Sequence, residues 1–205
     1  MNKIYALYLM ASFAILVSCA FSTESSTLTD PSQKNLVITG EIGYSHMEDL
    51  ADRIAFANGV SSTGIKKNGN TYTLSFDRDL TVIPKEAFTD EPITAIIIPH
   101  GVLKIEAQAF WSCEKLISVS MPNTLKSIEW GAFNDCPITK ITLPDNLQEI
   151  GSYCFSGTHI KKIVIPERIT SIKYNAFSEW GELEEVHLPD NLVAIEKDAF
   201  DNCSG

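Results

Sequence analysis

At 205 residues, 44% hydrophobic and 20% charged, the chain is long enough to bury a core, and its 11 Gly and 9 Pro are too few for a fibrous or disordered composition. With 16 Lys+Arg against 26 Asp+Glu the formal charge is −10, so the Lys/Arg excess that binds nucleic acid or anionic membrane surfaces is absent and no nucleic-acid partner is expected.

Lys3 opens a positively charged leader, and Ile4 to Val17 form an apolar stretch too short to span a bilayer but suited to a secretory signal. It ends in Leu16-Val17-Ser18-Cys19, which resembles a bacterial lipobox. The resemblance implies cleavage before Cys19 and a diacylglycerol on its sulfur, making residues 1–18 a lipoprotein signal peptide. An ordinary signal peptide cut near Ala20 is the alternative. Ala20, standing where an aspartate would imply inner-membrane retention, implies an outer-membrane or cell-surface destination. Membrane contact would then be through the N-terminal lipid only, and stable anchoring takes more than one acyl chain. Residues 19–35 continue as a Ser/Thr-rich segment that reads as a flexible tether.

Residues 36–79 read as a non-repetitive N-terminal cap. Leu36–Thr39 is a β-prone run closed by Gly40. Ser45, with Glu48 at capping-box spacing, predicts the start of a helix with Met47, Leu50, Ile54 and Ala57 on its apolar face, stopped at Asn58-Gly59. Asn68-Gly69, followed by the β-prone Thr71–Phe76, predicts a hairpin. Such a unit would cover the apolar end of whatever follows.

From about Leu80 the chain repeats. Phe recurs at 88, 110, 133, 155, 177 and 200, and Pro at 99, 122, 144, 166 and 189, always 22 or 23 residues apart. Residues 80–205 therefore read as repeats beginning at Ile93, Leu116, Ile138, Ile160 and Leu183, and periods of this size mean a solenoid. In each repeat, alternating pairs such as Ile96/Ile98 or Ile163/Ile165 point to one side of a short strand, and the following proline ends the pairing. Leu103, Leu125, Leu147, Ile169 and Leu192 are expected to fill the other side of the coil, and Ala-Phe to close it with the Phe rings stacked from coil to coil. The predicted fold class is α/β, a solenoid with a parallel β-sheet of one short strand per coil behind a strand–helix–hairpin cap.

Leu116–Cys136 (LISVSMPNTLKSIEWGAFNDC) carries the pattern I-x-x-I-x-I-P-x-x-L-x-x-I-x-x-x-A-F-x-x-C. It resembles the BspA-like, or Treponema-type, leucine-rich repeats. Departures are local: Cys154 stands for the Ala before Phe155, and Thr158 and Trp180 stand where Cys113, Cys136 and Cys203 recur. The resemblance implies a surface protein of oral or gut bacteria, with some family members acting in adhesion to host matrix proteins and in coaggregation.

Cys113 and Cys136 hold equivalent places in adjacent coils, within disulfide reach, but the family's cysteine there usually behaves as a buried apolar group; free thiols are the favoured reading. His46, His100, His159 and His187 share no metal-ligand spacing, and no catalytic motif occurs. No catalytic residue, metal or cofactor is expected. Outward strand positions present a lysine patch (Lys140, Lys161, Lys162) followed by Glu184, Glu185 and His187, and these are the candidate ligand-binding residues. Trp111, Trp130, Tyr153 and Tyr174 fall in the turns around Phe, either as interface anchors or packed against the stack. The leading expectation is a lipid-anchored binding or adhesion protein for a protein or glycan partner on host or bacterial surfaces. The alternative is a structural component of the envelope that self-associates through the C-terminal end, where the sequence shows no polar capping repeat.

Overall fold

The computed structural model of the protein describes residues 35–204; the leader, Cys19 and most of the tether lie outside the described residues. The cap comprises β1 (Leu36–Gly40), α1 (Tyr44–Asn58), β2 (Ser62–Asn68) and β3 (Thr71–Phe76). The Tyr72 hydroxyl, donating to the Ile42 carbonyl at 2.5 Å, pins buried Ile42, so Gly43 is the extended residue before the helix and accepts from Met47 N–H at 3.0 Å. Ser45 therefore lies inside the first turn and makes no cap, contrary to the sequence expectation. Met47, Leu50 and Ile54 are buried as expected, but Ala51 and Ala55 complete the stripe while Ala57 faces solvent. Gly59, at φ +61°, ends the helix as a left-handed cap. In the hairpin Asn68 pairs with Thr71, so the two loop residues are Gly69 (φ +57°) and Asn70, one residue later than Asn68-Gly69 suggests.

The repeats add β4 (Val82–Ile83), β5 (Ile93–Ile97), β6 (Lys104–Ile105), β7 (Ser118–Ser120), β8 (Ser127–Ile128), β9 (Glu149–Ile150), β10 (Lys162–Val164), β11 (Ser171–Ile172), β12 (Glu185–His187) and β13 (Ala194–Ile195). Each coil carries the expected main strand, except the one starting at Ile138, which keeps only a bridge at Lys140, and a two-residue strand after the proline adds a second ladder. The main sheet runs β2-β3-β1-β5-β7, with β1 antiparallel to β5 and β5 parallel to β7. The cap strand β1 so occupies the edge of the first repeat strand, which would otherwise offer unpaired amides. Gly40 permits this approach: a Cβ there would lie 2.7 Å from both the Ile93 Cα and the Pro92 carbonyl.

Asn58 joins cap to solenoid. Its amide donates to the Ile54 and Val82 carbonyls (2.9 Å each), and its carbonyl oxygen accepts from the Thr81 and Val82 N–H groups at 2.8 and 2.9 Å. Asn58→Ala should lower unfolding stability by about 2 kcal/mol in urea titration, through partly buried groups left unpaired.

Inward strand residues such as Ile96, Val119, Ile141 and Ile163 are buried, and the Phe rings stack at 5.0, 4.9, 5.4, 5.9 and 5.4 Å from Phe88 to Phe200. One assignment shifts: Leu103 is 40% exposed, and Val102, three residues after Pro99, fills the coil as Leu125 does three after Pro122. Residues two before and two after each Phe take positive φ, for example Gln108 (+57°) and Ser112 (+53°), so the chain bends sharply on both sides of the ring. Hydrogen bonds such as Phe110 N–H to the Ala132 carbonyl (2.8 Å) and Ser112 N–H to the Asn134 carbonyl (2.9 Å) then link each turn to the next. Coils are therefore joined along three lines: the main strands, the second strands and the Phe turns.

Two of these lines break at one place. The main sheet ends after β7, apart from a Ser118–Lys140 bridge, and resumes as β10-β12; the second ladder ends at β9 and resumes as β11-β13. Both gaps separate the repeat starting at Ile138 from the one starting at Ile160. The Phe turns stay joined there through Phe155 N–H to the Ala176 carbonyl (2.9 Å), at the widest ring spacing of the stack, 5.9 Å.

Candidate binding surfaces

Pleating turns Ser118, Ser120, Lys140, Thr142, Lys162, Val164 and His187 outward, all exposed, so the strand face is built as the alternation predicts. The charges on it are not two separate patches. Lys162 pairs with Glu185 at 3.0 Å, Lys161 with Glu182 at 3.2 Å and Glu184 at 3.9 Å, and His187 with Glu185 at 2.8 Å. Stacking sets each lysine beside the acid one coil later. Lys162, then His187, hold the Glu185 carboxyl below its usual range, while Glu185 raises Lys162. Among the described residues Lys140 makes no ion pair, so of the six sequence candidates five fall into two ion-paired groups, Lys162–Glu185–His187 and Lys161–Glu184, and Lys140 stands apart.

The Phe-turn edge is organised differently. Glu106, Glu129 and Glu196 each reach back one coil, accepting from the N–H of Lys85 (3.0 Å), Ala107 (3.1 Å) and Tyr174 (3.0 Å), amides freed where the chain bends. Cys113, Cys136 and Cys203 donate to the carbonyls of Phe88, Phe110 and Phe177 in the preceding coil at 2.8, 3.0 and 3.2 Å. Trp180 makes the same link with its indole N–H, to the Phe155 carbonyl at 2.6 Å, whereas the buried Thr158 hydroxyl finds no partner among the described residues. All four cysteines among the described residues are free. The neighbouring Cys136 thiol, then burial, pushes the Cys113 thiol far up, and burial does the same to Cys154, so both are unreactive at neutral pH.

Along this edge lies a feature that residue-by-residue reading did not assemble. Trp111 stacks on Trp130 (5.2 Å, 25°), Trp130 meets Tyr153 edge-on (6.4 Å, 69°), and Tyr153 meets Tyr174 (5.4 Å, 79°). Trp130 and Tyr174 are 43% and 37% exposed. The signal was present in their phase: each lies within three residues of a repeat Phe. The adjacent Tyr174 hydroxyl, followed by burial and by the charges of Asp198 and Glu179, pushes the Tyr153 phenol above its usual range. Gly131, at φ +60°, makes room for the row, since a Cβ there would lie 2.6 Å from the Trp111 ring. Gly131→Ala should cost about 1–3 kcal/mol and alter the near-UV circular dichroism of the displaced indoles.

Among the described residues no cluster of His, Cys, Asp and Glu could hold a metal ion, and no helix is long and apolar enough to cross a membrane.

A family model described as "BspA type Leucine rich repeat region" matches residues 81–205 in six copies. Among solved structures, a leucine-rich repeat protein of Bacteroides ovatus is 31% identical over 68% of this chain, with a TM-score of 0.57; the match spans 36% of that protein. The T. pallidum leucine-rich repeat protein is 19% identical over 58% of this chain and 68% of its own, with a TM-score of 0.46. A leucine-rich cell surface protein of Faecalibacterium prausnitzii is 21% identical over 60% of this chain and 49% of its own, with a TM-score of 0.42. No curated protein matches the chain.

Proposed function

We propose a binding role, from the premise that this chain belongs to the BspA-type leucine-rich repeat family. It is a non-enzymatic adhesion protein of a bacterial cell surface, held to the outer membrane by a lipid on Cys19, with a protein or glycan on host or bacterial surfaces as its partner. One observation carries the reading. Inward strand positions stay apolar from coil to coil, while outward ones change from Ser118/Ser120 to Lys140/Thr142 to Lys162/Val164, so a constant scaffold presents a varied face. Lys140, Lys161, Lys162, Glu184, Glu185 and His187 are the candidate contacts on that face.

The test is saturable binding of the purified protein to immobilised host matrix proteins and to intact neighbouring bacteria. Binding to none of them overturns the adhesion role, and a protein that instead sediments as a self-assembled polymer supports the envelope-assembly alternative. For the anchor, labelled palmitate should enter the wild-type protein in the producing cell and not the Cys19→Ala variant, which should be released from the membrane. Equal labelling of both would rule out Cys19 as the lipid site.

A further inference from the structure

We propose that the Phe-turn edge is a docking strip for a cationic, Lys/Arg-bearing segment of a partner protein. The inference rests on the binding role above and names a surface and a partner chemistry for it. The turn segments 84–91, 106–113, 129–136, 151–158, 173–180 and 196–203 carry ten acidic and three basic residues, a net −7. The segments between them, 92–105, 114–128, 137–150, 159–172 and 181–195, carry eight acidic and seven basic residues, a net −1. Nearly all the excess negative charge of the repeats therefore lies on the Phe-turn edge, with a net −3 in the four turns that carry Trp111, Trp130, Tyr153 and Tyr174 and the rest in the turns at either end of that row.

Both surfaces carry ion pairs, Lys162–Glu185 at 3.0 Å on the strand face and Lys104–Glu129 at 2.7 Å, Lys173–Glu196 at 3.0 Å and Lys197–Asp198 at 3.3 Å along the turn edge, but only the turn edge keeps a large excess of acids over bases. Aromatic rings bordered by carboxylates attract guanidinium and ammonium groups twice over, through the ring quadrupole and through charge. The rings follow one another at 5.2, 6.4 and 5.4 Å over four coils, so an extended chain laid along the edge meets a ring at every coil. Glu179 and Asp198 lie close enough to act electrostatically on Tyr153, which puts negative charge beside the rings themselves. A neutral sugar is disfavoured as the occupant, because it would gain nothing from the carboxylates of this edge.

The test titrates the full chain with a decapeptide of alternating Arg and Ser in 150 mM salt, read by tryptophan fluorescence and calorimetry. Saturable binding with a fluorescence change is expected. Trp130→Leu with Tyr174→Leu should weaken it about tenfold. Glu179→Gln with Asp198→Asn should weaken it severalfold with the rings intact, and Glu184→Gln with Glu185→Gln should leave it within twofold. Thermal unfolding of each variant separates lost binding from lost folding. No saturable binding, or equal weakening by the strand-face pair, overturns the proposal, the latter showing attraction to net charge alone. A natural partner that survives the aromatic double substitution but is lost with Lys140, Lys161 and Lys162 replaced by Ala would sink this surface while leaving the binding role standing. A chain that binds no surface at all would remove the binding role itself.

Discussion

Phe133→Ala should lower the free energy of unfolding by about 3–5 kcal/mol in urea titration, among the largest effects of any single truncation in the array. Phe133 is fully buried, with Phe110 at 4.9 Å on one side and Phe155 at 5.4 Å on the other, nearly parallel to both. Its neighbours cannot collapse into the vacated space, because each ring is held by its own turn: Phe133 N–H bonds the Cys154 carbonyl at 2.9 Å and Phe110 N–H the Ala132 carbonyl at 2.8 Å. The truncation would therefore leave a cavity bounded by fixed backbone. Phe56 is the control: it lies on the outer face of α1, 89% exposed, and Phe56→Ala should change stability by less than about 0.5 kcal/mol. Equal effects at the two sites would mean that the stack does not hold the coils together.

Composition does not distinguish these two phenylalanines, but phase does, and that marks how far the sequence reaches. The regular recurrence of Phe and Pro places the strand, the turn and the buried face of every coil, because only a solenoid makes residues about 22 apart equivalent neighbours. Even the irregularity is local. In the repeats Pro-to-Phe is always 11 residues and repeat start to Pro always six, so the extra residue of the 23-residue coils lies between Phe and the next repeat start, as in Cys113-Glu114-Lys115-Leu116 against Cys136-Pro137-Ile138.

What pattern reading missed depends on particular three-dimensional neighbours. Ser45 is a sound capping residue by type, yet the anchoring of Ile42 decides where the helix starts. Leu103 matches the pattern in kind, but Val102 has the right distance from proline. The lysine and glutamate patches are separate along the chain and interlocked across coils, since residues about 23 apart become lateral neighbours. The aromatic row escapes for a related reason: Trp111 follows its Phe, whereas Trp130 precedes the next one, and only the bent turn brings the two together.

The break in both sheets coincides with Trp180, and substitution there should show whether the indole causes it. Most described coils with a donor at this position use a cysteine, a small group, to reach the preceding Phe carbonyl. The repeat starting at Ile160 uses an indole, which is fully buried and lies edge-on to Phe177 at 5.2 Å. The indole still bonds the Phe155 carbonyl, but its bulk lies between two coils spaced for a thiol, and the Phe155–Phe177 separation of 5.9 Å is the widest of the stack. Trp180 is thus expected to act as a wedge that parts the strands while the Phe turns remain joined. Trp180→Ala should cost about 3–5 kcal/mol, through the cavity it leaves and the carbonyl it strands. Trp180→Cys keeps a donor and removes the wedge, so its expected signature is different: slower hydrogen exchange where pairing is now missing, as at Lys173 N–H opposite Ile150, with Phe155 and Phe177 drawing closer in its crystal structure. Exchange at those amides as fast as in the wild type would show that the gap belongs to the strands themselves and that the indole only fills it.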